Sequence, residues 1–370
     1  MPEKIQRVSH ADGEPHWRST LVVMFLAQFL SGVGFSFVFP FFPFYFRQLG
    51  LRNDEEVFLW MGYTSLVFGV TMAVSAPLWG MIADRYGRKI MVIRSMFAGA
   101  VVLGLMGLAR NPWHILVLRF LQGMTTGTVT ASVTLVSSVT PAANIGFSLG
   151  IMQTGLLVGN AVGPLLGGVM ADHFGYRVPC GLAFIILFAG TILVVFGAKE
   201  NFVQSAGRRE NGFLAMGNIL KTEGFLVVLV VYFMIYTLGG MIIPVLPIFI
   251  EQLARGAARV NTISGTFVAI SGLLSGLSAA YLGKIGDRFG HSRVLLFSLI
   301  ATGVLSIPQA FAGNLWELFI ERCLFGLAVG GVIPVVNVIV SNIIPKDRVG
   351  SAYGLTSSVT CLGIGAGPAI

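Results

Sequence analysis

Gly80-Met-Ile-Ala-Asp84-Arg85-Tyr-Gly87-Arg88-Lys89 returns 203 positions later as Gly283-Lys-Ile-Gly-Asp287-Arg288-Phe-Gly290-His291-Ser292, with five of ten residues identical. The register holds well beyond this stretch. Arg119 and Gly123 map onto Arg322 and Gly326, Gly163-Pro164 onto Gly367-Pro368, and Pro40-x-x-Pro43 onto Pro244-x-x-Pro247. Similarity at a fixed offset, kept in order along the chain, identifies two homologous units that form an internal repeat.

The units are membrane-embedded. Of 370 residues, 55% are hydrophobic and 11% charged, and the mean hydropathy is +0.82, which excludes an ordinary soluble domain. The 47 glycines fall within apolar runs, where they weaken a soluble helix but let membrane helices pack closely. About 20 apolar residues cross a bilayer core of ~30 Å. Eleven spans meet that need: 20–46, 57–83, 90–109, 114–138, 146–171, 177–198, 224–250, 262–283, 293–312, 316–343 and 351–370. The first follows Lys4, Arg7 and Arg18 but runs on without a small-residue cleavage site, so it reads as a retained helix.

The formal charge of +8 lies between spans rather than in a surface patch, which argues against nucleic acid as a partner. With the N-terminus inside, 16 of the 24 Lys and Arg fall on the cytoplasmic side against six outside. The positive-inside bias therefore predicts a multi-pass protein of the cell (inner or plasma) membrane with a cytoplasmic N-terminus. Cys180, Cys323 and Cys361 lie in or beside spans, so no disulfide framework is implied.

One polar connection, 199–223, separates six spans from five. The expected organisation is a bundle over 1–198, a cytoplasmic linker over 199–223 and a second bundle over 224–370. Two bundles in the same orientation make a parallel repeat about an axis along the membrane normal. Carrying the register forward predicts that about 34 residues and a twelfth span are missing from the second unit.

Three elements carry a resemblance across the whole chain: the Gly80 to Lys89 loop, Arg119-x-x-Gln122-Gly123 in span 4, and Gly155-x-x-x-Gly159-x-x-x-Gly163-Pro164-x-x-Gly167-Gly168 in span 5. Together they resemble the major facilitator superfamily, and within it the twelve-helix drug:proton antiporters of bacteria. The resemblance implies an all-α integral membrane fold of two six-helix bundles related by a pseudo-two-fold axis. It also implies that Asp84 faces the N-terminus of span 11, near Gly350 and Ser351, and holds the bundles together in the outward-open state. A helix N-terminus carries about half a positive charge, so a carboxylate is favoured there. By repeat symmetry Asp287 is expected near Gly146 at the start of span 5. Family members often pair the motif arginine with an acid at the cytoplasmic end of span 4, but residues 131–140 contain none to serve Arg88.

Arg119 lies about five residues, or ~8 Å, into span 4. A lone arginine at depth costs ~2.5–3.5 kcal/mol on insertion scales, so it either snorkels outward or, as the resemblance implies, meets the central cavity with Gln122. Gly155, Gly159, Gly163 and Gly167 share one helical face that admits a close neighbour, and Pro164 is expected to bend the helix. The Pro-x-x-Pro pair predicts matching bends at the external ends of spans 1 and 7. Aromatic residues of those spans, Phe35, Tyr232 and Tyr236, together with Gln28 and Ser31, are candidates for an adaptable substrate cavity.

Proton coupling requires an ionisable group within a span. Span 1 has no acid, which leaves Glu317 and Glu321 beside Arg322, with Asp84 and Arg119 as further candidates. No cofactor is expected. His10, His16, His114, His173 and His291 are scattered, and neither a metal-ligand spacing nor a Walker loop nor a nucleophile elbow occurs, which argues against a metal site and against an enzyme. The reading is a monomeric secondary transporter that exports small amphipathic or lipophilic compounds against inward proton flow. An importer or facilitator of a metabolite, and a non-transporting sensor or truncated remnant, remain alternatives.

Overall fold

The computed structural model describes residues 16–200, 220, 222, 224–254, 256, 259–344 and 349–370. Among them every regular element is helical. Span 1 is Trp17–Ser36, a short 3-10 turn Phe39–Phe41 and Phe42–Gln48; spans 2 and 3 are Asp54–Tyr86 and Arg88–Met106. Span 4 is Pro112–Thr125 and Thr128–Val139, span 5 is Ile145–Phe174, and span 6 is Arg177–Gly197. Spans 7, 8 and 9 are Phe225–Leu253, Val260–Phe289 and His291–Gln309. Span 10 is Leu315–Val329 and Val332–Ile343, and span 11 is Val349–Ala366.

Nine helices among the described residues are long and apolar enough to cross a bilayer. The difference from eleven arises at spans 4 and 11. Span 4 is interrupted at Thr126 and Gly127, where Gly127 takes φ 144, leaving pieces of 14 and 12 residues. Span 10 breaks at the repeat-related Gly330-Gly331. Span 11 comprises 18 residues and a 3-10 turn, Gly367–Ala369. The two Pro-x-x-Pro stretches differ in continuity. Span 1 breaks at Pro40, but span 7 runs as one helix through Pro244 and Pro247. Span 5 likewise passes unbroken through Pro164.

Apolar side chains divide between inward and outward faces. Two buried clusters are built from spans 1–6 and two from spans 7–11, so each set of spans carries its own core; Ile248 of span 7 and Val260 of span 8 also pack against a core of the first set. Leu108, Phe196, Leu277 and Phe297 remain exposed, an arrangement suited to contact with lipid tails rather than water. Span 5 is central, packing along span 1 on one side and span 8 on the other. Span 2 against span 11 forms the second contact between the two sets. The linker 199–223 lies outside the described residues except for Lys199, Glu200, Leu220 and Thr222.

Candidate functional site

The loop motif marks one face of the bundle. Gly87 ends span 2 and opens span 3 with φ 98, and Gly290 does the same between spans 8 and 9 with φ 97. Side chains rarely tolerate this backbone, so the motif glycine is required by geometry. The start of span 3 is capped from a distance: Arg88 N and Lys89 N donate to Glu200 Oε1 and Oε2 at 3.1 and 2.8 Å. Lys89 Nζ also reaches the Val195 carbonyl at 2.8 Å. A carboxylate at a helix N-terminus satisfies orphan donors and complements the dipole. Sequence reading missed Glu200, whose only signal is an acid at the exit of span 6. The side chain of Asp84 and the surroundings of Gly350 and Ser351 lie outside the described residues. Arg85 is exposed, as is Arg288. Asp287 is 75% exposed and 3.2 Å from His291 Nε2. Its expected neighbour Gly146 has open space where a side chain would begin, so this face stands apart here.

The opposite face is closed. Arg47 at the end of span 1 bridges Glu251 of span 7 and Asp54 of span 2, each at 2.6 Å. Asp172 on span 5 accepts from four donors at the start of span 8. Asn261 N and Nδ2 reach its Oδ1 at 3.2 and 2.7 Å, and Thr262 N and Oγ1 reach Oδ2 at 2.7 and 2.6 Å. Asn261 Nδ2 also donates to the Tyr176 hydroxyl at 3.2 Å. Burial, reinforced by the nearby Asp172 charge, pushes the Tyr176 phenol up, so it stays neutral at physiological pH. A cleft of about 280 Å³ beside these groups is lined by Phe44, Asp172, Tyr176, Glu251 and Asn261 among others. None of Arg47, Asp172 and Glu251 stood out in the sequence, because each is a single polar residue at a span end.

Between these faces spans 5 and 8 form a wedge. A Cβ on Gly168 would collide with the Asn261 carbonyl, and one on Gly265 with that of Pro164. Farther along, Gly272 lies 3.7 Å from Ala161 by the same measure, whereas Gly276, Gly283, Gly150 and Gly146 meet nothing within 4 Å. The second contact follows suit: Gly62 and Gly69 of span 2 abut Ala369 and Cys361, while Gly80 meets nothing. The two sets of spans are therefore joined at one face and parted at the loop-motif face.

Most of the span 5 strip serves span 1. Gly155, Gly159, Gly163 and Gly167 back onto Phe25, Phe29, Val33 and Phe37, and only Gly168 meets span 8. Arg119 does not snorkel. Its helix begins at Pro112, which sets it about 10 Å deep, and it is 5% exposed. The guanidinium sits 4.4 Å from the Phe39 ring and 4.9 Å from those of Phe42 and Phe68, a cation–π cage. Nη1 donates to Gln122 Oε1 at 2.9 Å, while Nε and Nη2 have no partner. Its repeat mate Arg322 is 7% exposed and donates to Gln309 Oε1 at 3.4 Å rather than to the adjacent Glu321. Glu321 is half-buried with Oε2 unpartnered. Glu317 serves as a cap, accepting from Gly313 N and Asn314 Nδ2 at 2.8 and 2.7 Å.

The substrate candidates come from both sets of spans. Gln28 and Ser31 are buried with unpartnered oxygens. Phe35 packs on Gly99 of span 3, within its own bundle. Tyr232 donates to Asn337 of span 10 and stacks on Tyr236, which abuts Gly363 of span 11.

Among the described residues, an all-helical array of bilayer-length spans, joined at one face and parted at the other, has the form of a membrane transporter. Comparison with known proteins gives the family. The Major Facilitator Superfamily model matches residues 24–277 and 228–370, and the chain belongs to that superfamily. It is 34% identical to multidrug resistance protein MdtG of Salmonella arizonae over 366 residues, covering 98% of this chain and 90% of that protein. The MdtG of Salmonella newport matches to the same extent over 365 residues. Among solved structures, nucleoside transporter NupG superposes with TM-score 0.79 at 13% identity, over 96% of this chain and 90% of that one. A bacterial homologue of the human lysosomal transporter Spinster gives 0.77 at 15%, over 96% and 82%. The protein is a transporter and not an enzyme.

Proposed function

We propose that this transporter exports small amphipathic or lipophilic compounds from the cytoplasm in exchange for protons, working as a monomer in the cell membrane with its N-terminus inside. The loop-motif face is then cytoplasmic and the wedge is an inward-open state. The wedge carries the reading: a path open at one face and sealed at the other is what alternating access requires of each half-cycle. Kinship with MdtG, a multidrug resistance protein by name, supports the direction and the substrate class. Arg119 and Gln122, with Gln28 and Ser31 on span 1 and Tyr232 and Tyr236 on span 7, supply polar contacts in an otherwise apolar interior. Glu321 is the favoured proton carrier, since its unpartnered oxygen can gain and lose a proton without breaking an ion pair. Arg119, Arg322 and Asp84 tune or complete that step.

Reconstitution in vesicles with an imposed pH gradient tests this. Substrate accumulating toward the acidic interior supports exchange, and movement along with protons overturns it. Glu321→Gln is expected to abolish pH-driven accumulation at normal expression; unchanged accumulation removes Glu321 from the coupling role.

A further inference from the structure

We propose that Asp172 is the positioning residue of an external latch: a detachable cap, supplied by span 5, for the N-terminus of span 8. It stands to the closed face as Asp84 is expected to stand to the other. The inference rests on the alternating-access reading above.

Helix starts leave backbone N–H groups without partners, and a side chain at the N-cap position normally accepts from the second or third of them. In span 8 that position is Arg259, which has no acceptor and makes no capping bond. The second and third helical residues are Asn261 and Thr262, and both of their N–H groups donate to Asp172 instead. Their side chains add one bond each, so both oxygens of the carboxylate are engaged twice. The cap thus comes from 89 residues away, across the contact between the two sets of spans.

Position makes this cap a latch. It sits at the joined end of the wedge, beside the backbone contact of Gly168 with Asn261, and spans 5 and 8 diverge from there. Opening that face must pull Asp172 off span 8. The groups released lie at the ends of spans 5 and 8, where opening of the face lets water replace the lost partners, so the bonds favour closure without making it irreversible. The Arg47 to Glu251 bridge closes the same face independently between spans 1 and 7.

Spin labels at Arg110→Cys and Phe311→Cys, exposed positions on the two sets of spans, report the width of this face by pulsed electron resonance in reconstituted protein with the native cysteines replaced by alanine. Asp172→Asn is expected to raise the ratio of open to closed distances about tenfold, a loss of charge-assisted bonds reported as population rather than stability. Thr262→Val, which keeps shape and removes one partner from the opposite side, should produce a smaller shift that vanishes in the Asp172→Asn background. Asp172→Glu should restore part of the closed population. An unchanged distribution in Asp172→Asn, alongside a shift when Arg47→Ala breaks the other bridge, overturns the latch and leaves the transport reading intact. A shift in Asp172→Asn, in a protein whose unaltered form moves substrate along with protons rather than against them, supports the latch and overturns proton-driven exchange.

Discussion

On one face of this protein spans 5 and 8 touch through bare backbone and are tied by a carboxylate; on the other the same two helices part until glycines look onto empty space. The sequence of the helices does not change character between these ends. Small residues run along both, so the glycine content of span 8 alone does not say where contact occurs. What differs is that the closed end adds directional polar bonds, Asp172 to span 8 and Arg47 to Glu251, to the close approach. Smooth packing allows either end to close, and polar ties decide which end is closed in a given state.

The sharpest way to break the asymmetry is Gly265→Val. Its side chain would strike the Pro164 carbonyl, and overpacking of this kind costs about 1–3 kcal/mol, so the closed face should open and transport fall at least about fivefold in vesicle assays. Gly87→Ala acts on the other face through conformation rather than contact. Forcing an alanine to φ 98 costs about 1–3 kcal/mol, and thermal unfolding in detergent should drop accordingly, with Gly290→Ala matching it. Arg47→Ala removes a part-exposed bridge worth about 0.2–1 kcal/mol, predicting an up to fivefold gain in open population by the spin-label measurement. The smallest effect belongs to Gly276→Ala. Nothing stands within 4 Å, so thermal stability should hold or rise by up to ~1 kcal/mol from helix propensity. A loss comparable to Gly265→Val would show that the faces are not asymmetric after all.

The span pattern was largely legible in advance because hydrophobic length is a local property. All eleven spans begin within about three residues of their expected starts, and the differences that matter are interruptions inside spans, where glycines and prolines permit several outcomes. Pro40 broke its helix and Pro244 did not, although the repeat equates them. Arg119 was recognisable as special, but its phenylalanine cage was not, since Phe39, Phe42 and Phe68 come from two other spans. Phe35, read as a cavity residue, packs inside its own bundle instead.

By itself the sequence determined the membrane solvent, the helical spans, the internal repeat and the glycine turns at 87 and 290, because hydropathy and backbone freedom are fixed residue by residue. Only the tertiary structure decided which face is sealed and by whom. Asp172 and Thr262 are 90 positions apart, and Arg47 and Glu251 are 204 apart. A carboxylate becomes a latch only when folding brings an uncapped helix start within about 3 Å of it, and no local pattern records that meeting.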